Sequence, residues 1–363
     1  MSIATSLIKS KIDARISHSI AFLVFSVACL VAAQGQAPPP GPTPSIVYRA
    51  QNREAIDNYR ANPEVVRRMV NQLVLAVTRQ PDIASAWRSL VKPNDRIGIK
   101  ISAAGGELFT THRAIVDTIV DGLVAAGHAR SDIIVWDKSL GGIKDAGYSG
   151  SGGYQLKSIP PREGYDPKVT VSAPFLGNLI WGDFEYLGNR GQVPLLSETE
   201  NTSSVSHVSK ILANEVTKVI NLPVLSDSVR NGVAGCLYNM TIPNIDNWRR
   251  FGVPPDFGAS SIPEIYNDPH IGQKVVLNLM DGLLAQYAGG PESQPGYSVS
   301  FATLYASKDP VAIDAVALRQ LEVWREKRRV PPIKRLGAHV QVAAQLGLGN
   351  ADLSRIQIRD VGR

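Results

Sequence analysis

Cysteine is scarce in this chain, which has only Cys29 and Cys236 among its 363 residues. Cys29 lies in a segment that we expect to be removed, so Cys236 should be the only cysteine of the mature protein. One thiol excludes a disulfide within the chain and a cysteine-ligated iron–sulfur cluster. We therefore expect the fold to depend on its core, and a chain of this size can bury roughly three-quarters of its unfolded surface.

Long hydrophobic runs are also missing. The apolar segment Ile20–Ala33 has 14 residues, short of the roughly 20 that a membrane-spanning helix needs. Lys9, Lys11 and Arg15 precede it, and the small residues at 31–33 suit cleavage before Gln34. Residues 1–33 are thus predicted to be a signal peptide, exporting the protein to the periplasm or the outside without a stable membrane anchor.

Two alternatives for this N-terminal segment stay open. A lipoprotein signal would use Cys29, but the residue three positions before it is Ser26, where such signals favour Leu. The apolar segment could instead remain uncleaved as an anchor.

The chain has little excess charge. Without residues 1–33 it has 35 basic and 31 acidic residues, a net charge of +4. This value is too small for a chain of this length to indicate nucleic-acid binding.

Several catalytic motifs are missing too. There is no phosphate-binding P-loop and no H-E-x-x-H zinc motif. Gly147–Gly153 lacks the G-x-S-x-G pattern of a hydrolase elbow, and Gly347–Gly349 does not follow a strand as a dinucleotide fingerprint would.

The clearest structural unit is Arg96–Ser139, which reads as strand, loop, helix and strand. Isoleucines alternate at 97, 99 and 101, and an apolar stripe at helical spacing begins at Ile115. Thr110 or Thr111 is predicted to cap this helix, and Gly127 to end it. Such a unit crosses over into a parallel sheet. We therefore predict an α/β fold with a mainly parallel or mixed central sheet and flanking helices.

The rest of the chain is predicted to complete this one domain. Residues 34–45 form a Pro-rich linker and residues 46–363 a single α/β domain. Residues 48–90 look helical, and 140–206 form an irregular Gly-rich insertion with a possible hairpin. Later patterns predict further strands and helices, including a helix from Asp309 to about Arg325.

Polar residues follow the predicted strands. In an open parallel sheet, ligands bind where the carboxyl ends of the strands meet. We therefore expect one shared rim formed by Lys100, Ser102, Asp137, Lys138, Ser139, Asn221, Asp281, Lys308 and Asp309. Rival interpretations are a solvent-facing Lys100 and an Asp309 that only caps its helix.

His112 is a candidate titrating group. It lies at a predicted helix N-terminus beside this rim, where the helix dipole favours the neutral imidazole. His128, His207, His270 and His339 are scattered along the chain and fit surface or packing positions better.

Three segments resemble a known family. NLPVLSDSVRNGVAGCLYNM (221–240), IPEIYNDPHIGQKVVLNLMDGLLAQYAGGP (262–291) and YASKDPVAIDAVAL (305–318) look like domain of unknown function 362. The resemblance implies an α/β domain, often exported or fused to a ferredoxin-like module, without a settled activity. It adds Asp227, Asn239 and Asp314 to the candidate residues.

The chain departs from the family's pattern where a lysine and a histidine are usual. Those positions hold Ser226 and Ser228, and Tyr238 replaces a lysine before Asn239. These departures favour loss of catalysis.

Two functional hypotheses follow. In the first, an exported enzyme acts on a small polar or carboxylated molecule with a divalent cation, magnesium, calcium or manganese. Lys100, His112 and Asp137 would then be catalytic, the metal ligands would be Asp281, Asp309 and Asp314, and the ligand-binding residues would be Ser102, Asn221, Asp227, Asn239 and Lys308.

In the second hypothesis, the protein binds a ligand or partner without catalysis. A weaker third hypothesis is an electron-transfer accessory. The oligomeric state stays open.

Overall fold

The computed structural model describes residues 44–172 and 205–362. The predicted signal peptide and nearly all of the predicted linker lie outside these residues. The strands are β1 (Ser45–Gln51), β2 (Ile56–Asp57), β3 (Arg60–Ala61), β4 (Ile97–Ile101), β5 (Ile134–Asp137), β6 (Gln155–Ser158), β7 (Tyr165–Ser172), β8 (Val205–Ser209), β9 (Lys218–Leu222), β10 (Val224–Ser228), β11 (Gly232–Val233), β12 (Val275–Gln286), β13 (Ser298–Ser307) and β14 (Ile356–Val361). The helices are α1 (Pro63–Thr78), α2 (Ile83–Leu90), α3 (Arg113–Ala125), α4 (Leu140–Asp145), α5 (Cys236–Thr241), α6 (Ser261–Tyr266), α7 (Pro310–Arg328) and α8 (Ala338–Gln345).

One large mixed sheet forms the centre of this part of the chain. Its strand order is β14-β1-β13-β12-β9-β4-β5-β6, and β10 and β11 branch from it. The neighbours from β12 to β6 run parallel to one another, whereas β13 runs antiparallel between β12 and β1. The predicted α/β fold with a mainly parallel or mixed sheet is confirmed.

Helices cover both faces of the sheet and give it two hydrophobic cores. Helices α1, α2 and α3 supply one core, and α5, α6, α7 and α8 supply the other. All five residues of β4 are buried as a result. Strands covered on both faces are typical of parallel sheets. A polar side chain on such a strand therefore needs partners inside the protein.

The unit β4–α3–β5 has the predicted order, and its two strands pair in parallel. Gly127 has a left-handed φ of 108° just after α3, as predicted. The predicted threonine cap is wrong, because His112 occupies the N-cap position and the helix begins at Arg113. The side chain of Thr111 is engaged elsewhere, since its hydroxyl donates to the carbonyl of Leu222 at the end of β9.

Two further predictions need correction. Residues 48–90 are only partly helical, because β1 pairs with β13 and β14 and the first helix begins at Pro63. The insertion 140–206 starts with helix α4, and β7 and β8 pair antiparallel within it. The predicted hairpin lies mostly outside the described residues.

The direction of β13 separates residues that we expected to find together. Ser307 pairs with Asn278 in the antiparallel register, so Lys308 and Asp309 continue toward the edge where the parallel strands begin. Asp309 lies there beside Ser45, whose hydroxyl donates to it. The expected common rim therefore excludes Lys308 and Asp309. Within the described residues, no helix is long and apolar enough to cross a membrane.

Candidate functional site

Lys100 is the centre of the candidate site, although its side chain is fully buried. It lies on the α5 face of β4, opposite the isoleucines of that strand. Its ammonium donates to Asp137 Oδ1 at 2.6 Å, to the carbonyl of Ile101 at 2.7 Å and to Asn239 Oδ1 at 3.1 Å. Three acceptors match the three N–H groups of a protonated lysine. Burial lowers the pKa of Lys100, and the charge of Asp137 opposes that fall.

Asp137 joins the ends of β4 and β5. Its second carboxylate oxygen accepts the backbone N–H of Ala103 at 2.7 Å. The carboxylate thus fixes the chain just after β4 and neutralises Lys100 at the same time. A buried charge pair is tolerated when its remaining hydrogen-bonding groups are satisfied, as they are here.

Asparagines extend the hydrogen bonds of Lys100 across the sheet. Asn239 on α5 donates to Asn221 Oδ1 at 2.8 Å, and Asn221 donates to Asn278 Oδ1 at 2.8 Å. Asn221 also donates to the carbonyl of Cys236 at 3.0 Å. The buried Nδ2 of Asn278 has no hydrogen-bond partner among the described residues. The network holds the short helix α5 over β4, β9 and β12.

A cavity of about 190 Å³ opens beside this network at the carboxyl ends of β4 and β5. Its polar lining includes Ser102, Asp137, Asn239, Lys138, Ser139, Tyr238 and Glu292. Its apolar lining includes Trp248, Ile242, Pro243 and Pro291. An apolar pocket with a few convergent polar groups at this edge of a parallel sheet is the usual form of a small-molecule site.

Neighbouring groups position the ammonium of Lys138, and Tyr238 contributes a protonated phenol to the lining. The ammonium of Lys138 donates to the carbonyl of Ile245 at 3.0 Å and lies 5.2 Å from the ring centroid of Trp248. Burial raises the pKa of the Tyr238 phenol well above its usual value. Tyr238 is therefore a neutral hydroxyl at physiological pH.

The position of α5 depends on Asp314. This buried carboxylate on α7 accepts the backbone N–H of Cys236 at 2.6 Å and of Leu237 at 3.0 Å. A Cβ at Gly235 would lie 2.1 Å from Asp314 Oδ1, so only glycine fits there. Burial raises the pKa of Asp314 to about 7, although both hydrogen bonds oppose the rise. Asp314 thus anchors the helix that carries Tyr238 and Asn239.

Asp227 fixes another wall of the cavity. Its carboxylate accepts the N–H of Gly290 at 2.8 Å and lies 3.4 Å from Arg325. Gly290 begins the loop that brings Pro291 and Glu292 to the cavity. Gln286 holds the same loop, because its Nε2 donates to the carbonyl of Glu292 at 3.0 Å.

His112 and Asp281 form a separate pair at the start of α3. Asp281 Oδ2 lies 2.7 Å from His112 Nδ1 and accepts the backbone N–H of His112 at 2.8 Å, while Oδ1 accepts from Leu283. Burial lowers the pKa of His112, but the charge and hydrogen bond of Asp281 outweigh it, so the pKa is raised. The expected lowering by the helix dipole is therefore wrong.

The structure brings together about half of the predicted site residues. The cavity and its hydrogen-bond network contain Lys100, Ser102, Asp137, Asn221 and Asn239. Asp227 and Asp314 position its walls, whereas His112 and Asp281 contact each other instead. Lys308 is exposed, and Asp309 caps α7 by accepting the N–H of Ala312 at 2.9 Å.

The three predicted metal ligands have different partners, because Asp281 contacts His112, Asp309 caps α7 and Asp314 accepts from the start of α5. In the described parts of the chain, no group of three His, Cys, Asp or Glu side chains is arranged to hold a metal ion.

Trp248 and Glu292 line the cavity but were not predicted from the sequence. Trp248 lies far from any strand end, and Glu292 lies six residues beyond the end of β12, so neither directly follows a strand of the parallel sheet. The Gly289-Gly290-Pro291 turn before Glu292 was the one available signal, since it marks a loop after a buried strand.

Comparison with known proteins identifies one family. The model of the family described as Domain of unknown function (DUF362) matches residues 90–319. No match was found among curated proteins. The crystal structure of a Thermotoga maritima protein from the Northeast Structural Genomics Consortium is similar at 10% identity and a TM-score of 0.36. The match covers 80% of this chain and 60% of that chain, so this chain spans less than two-thirds of that protein.

The buried ion pair generates the first prediction. Lys100→Met and Asp137→Asn should each lower the free energy of unfolding by about 3–5 kcal/mol, because each leaves one buried group without its partner. The double variant should lose less than the sum of the two single losses. Chemical denaturation measures all three. As a control, Lys157→Met in the partly exposed pair Lys157–Glu215 should cost less than about 1 kcal/mol. Equal losses at the two pairs would contradict a buried ion pair at Lys100.

The raised pKa of Asp314 predicts how the stability of the protein depends on pH. Because the folded-state pKa of about 7 exceeds the usual 3.8, the contribution of Asp314 is fully present below pH 3.8. It is lost as the pH rises through 7. Asp314→Asn cannot ionise, so the stability of wild type relative to this variant should fall by a few kcal/mol between about pH 4 and pH 7. Urea denaturation of both proteins across this pH range tests the prediction. A difference between their free energies of unfolding that stays constant with pH would refute the raised pKa.

Proposed function

The chain belongs to the family described as Domain of unknown function (DUF362), and we propose that it binds a small polar or carboxylated molecule in the cavity at the carboxyl ends of β4 and β5. The observation that carries the proposal is the cavity itself, which has a fixed polar floor and an apolar wall. Its volume of about 190 Å³ is below the roughly 300–1,000 Å³ of most ligand pockets, so it suits a small molecule. A ligand of this size has few atoms, so each hydrogen bond matters for its affinity.

The lining indicates what the ligand would offer. Hydroxyls of Ser102, Ser139 and Tyr238 can donate to an oxygen of a carboxylate, carbonyl or hydroxyl group. The apolar wall around Trp248 would cover the carbon skeleton. Asp137 already accepts from Lys100 and Ala103, so it serves as an oriented acceptor rather than as a free base.

The rigidity of the floor supports binding. The lining residues Asp137 and Asn239 both accept from the buried Lys100, and Asp137 also accepts from Ala103, so the floor needs no ordering when a ligand arrives. Preorganisation of this kind increases affinity because less conformational entropy is lost on binding.

A second candidate is an enzyme that uses a divalent cation. The observation that favours it is that two carboxylates, those of Asp137 and Glu292, line the same cavity. Hard cations such as magnesium, calcium and manganese prefer oxygen ligands of this type.

Export is part of the proposal. It rests on the basic start and the short apolar segment of residues 1–33. The binding site would then meet its ligand outside the cytoplasm.

Filling the cavity tests small-molecule binding. Ala104 is exposed and lines the cavity, so Ala104→Trp should block it without disturbing the core. Small carboxylates such as succinate, malate and benzoate, together with their amides, should include compounds that raise the Tm of wild type. A probe at about 100 times its Kd stabilises the folded state by about 2.7 kcal/mol.

The control for this experiment is Ala125→Trp, which adds the same side chain at an exposed position near the end of α3. It should keep every ligand-induced shift, whereas Ala104→Trp should abolish them. Shifts that survive in Ala104→Trp would place binding elsewhere and refute this site.

A cation titration tests the second candidate. Magnesium, calcium or manganese should raise the Tm of wild type, and Glu292→Gln should remove most of that rise. Glu326→Gln, which removes an exposed carboxylate from α7, is the matched control and should leave it unchanged. A flat response of wild type to all three cations would dispose of this candidate.

A further inference from the structure

A basic and aromatic surface lies at the C-terminal end of α7. We name it the α7 surface, and it consists of Phe301, Val323, Trp324, Lys327, Arg328 and Arg329. It is separate from the residues that line the cavity, and the proposed small-molecule site does not use it.

The helical spacing places its apolar and basic residues side by side. Val323 and Lys327 are four residues apart, as are Trp324 and Arg328, so each pair lies on one stripe of the helix. Phe301 on β13 packs edge-on against Trp324, with ring centroids 4.9 Å apart. Both rings pack against the hydrophobic core and are partly buried, whereas 38% of Val323 is exposed.

The three cations extend into solvent. Lys327, Arg328 and Arg329 are exposed, and none of them forms an ion pair with a described residue. Arg325, one turn earlier, behaves differently because it donates to the carbonyls of Pro331 and Tyr287 and lies near Asp227. The arrangement thus keeps three positive charges beside the aromatic pair, with exposed Glu326 as the one acidic side chain on the same turn of α7.

The helix dipole explains only part of this arrangement. Cations near a helix C-terminus interact favourably with the last carbonyl groups. That effect does not require exposed Val323 or partly exposed aromatic rings beside the cations. Lys and Arg next to aromatic and aliphatic side chains are the combination that suits the interface of an anionic membrane, where the rings lie at headgroup level.

We propose that the α7 surface docks on a bilayer containing anionic phospholipid. The cations would contact the headgroups, and Val323 would enter the interfacial region beside the Phe301–Trp324 pair. Each basic residue near an anionic bilayer strengthens binding by about fivefold at moderate ionic strength, and the effect falls with added salt. A nucleic acid would use the charges but not the apolar residues, whereas binding to an acidic protein without binding to vesicles is an outcome that would overturn the proposal.

Vesicle co-sedimentation with the full chain tests the proposal. Vesicles of phosphatidylcholine and phosphatidylglycerol should retain the protein, and vesicles of phosphatidylcholine alone should not. The triple variant Lys327→Ala/Arg328→Ala/Arg329→Ala should lose at least tenfold in partitioning. Val323→Ser should weaken it by a smaller factor at every salt concentration, because it removes apolar contact and no charge.

The matched control removes three exposed lysines elsewhere, Lys92→Ala/Lys144→Ala/Lys168→Ala, and should bind like wild type. Equal losses in both triple variants would overturn the proposal, since binding would then follow net charge alone. Retention on heparin without binding to phosphatidylglycerol vesicles would also overturn it and would indicate a polyanion partner. Circular dichroism of each variant confirms that it is folded.

Discussion

The burial of one ammonium group governs the architecture of the candidate site. Lys100 lies inside a sheet covered on both faces, where an unpaired charge would cost several kcal/mol. The chain must therefore bring three acceptors to one point, and they come from β4 itself, from the end of β5 and from α5. The site residues are close together because the buried ammonium of Lys100 must have its three N–H groups paired.

The need to bind the ammonium of Lys100 also determines where the short helices and loops of the cavity wall lie. Asn239 can accept from Lys100 only if α5 lies over the strand ends, and α5 is held there by Asp314 and by the lack of a Cβ at Gly235. Asp137 fixes the chain after β4 in the same way, through Ala103. The cavity is the space left between these two fixed segments. Its shape is thus a consequence of the buried charge and of the anchors that serve it.

The sequence predicted the parts of this arrangement that depend on local order. Alternating isoleucines and the strand–helix–strand unit located Lys100, Ser102 and Asp137 at one edge of a parallel sheet, and Asn221 and Asn239 lie beside them. Lys308 and Asp309 were misplaced because the direction of β13 depends on its pairing with β12 and β1, which no local pattern shows. The pKa of His112 was misjudged for a similar reason, since Asp281 is 169 residues away in the chain. Trp248 and Glu292 reach the cavity through distant segments.

The buried aspartates of this protein hold backbone segments in place and do not form a cluster. Asp137, Asp227, Asp281 and Asp314 all accept backbone N–H groups, from Ala103, Gly290, Leu283 and Leu237 among others. Carboxylates that accept such bonds stabilise loops and helix starts, and their oxygens are already engaged. A chain rich in buried aspartates can therefore resemble a metal protein in sequence while using those residues as anchors. For the ligand that we propose, the remaining polar groups of the cavity are the hydroxyls of Ser102, Ser139 and Tyr238 together with Glu292, so we favour recognition by hydrogen bonds over chemistry at an aspartate cluster.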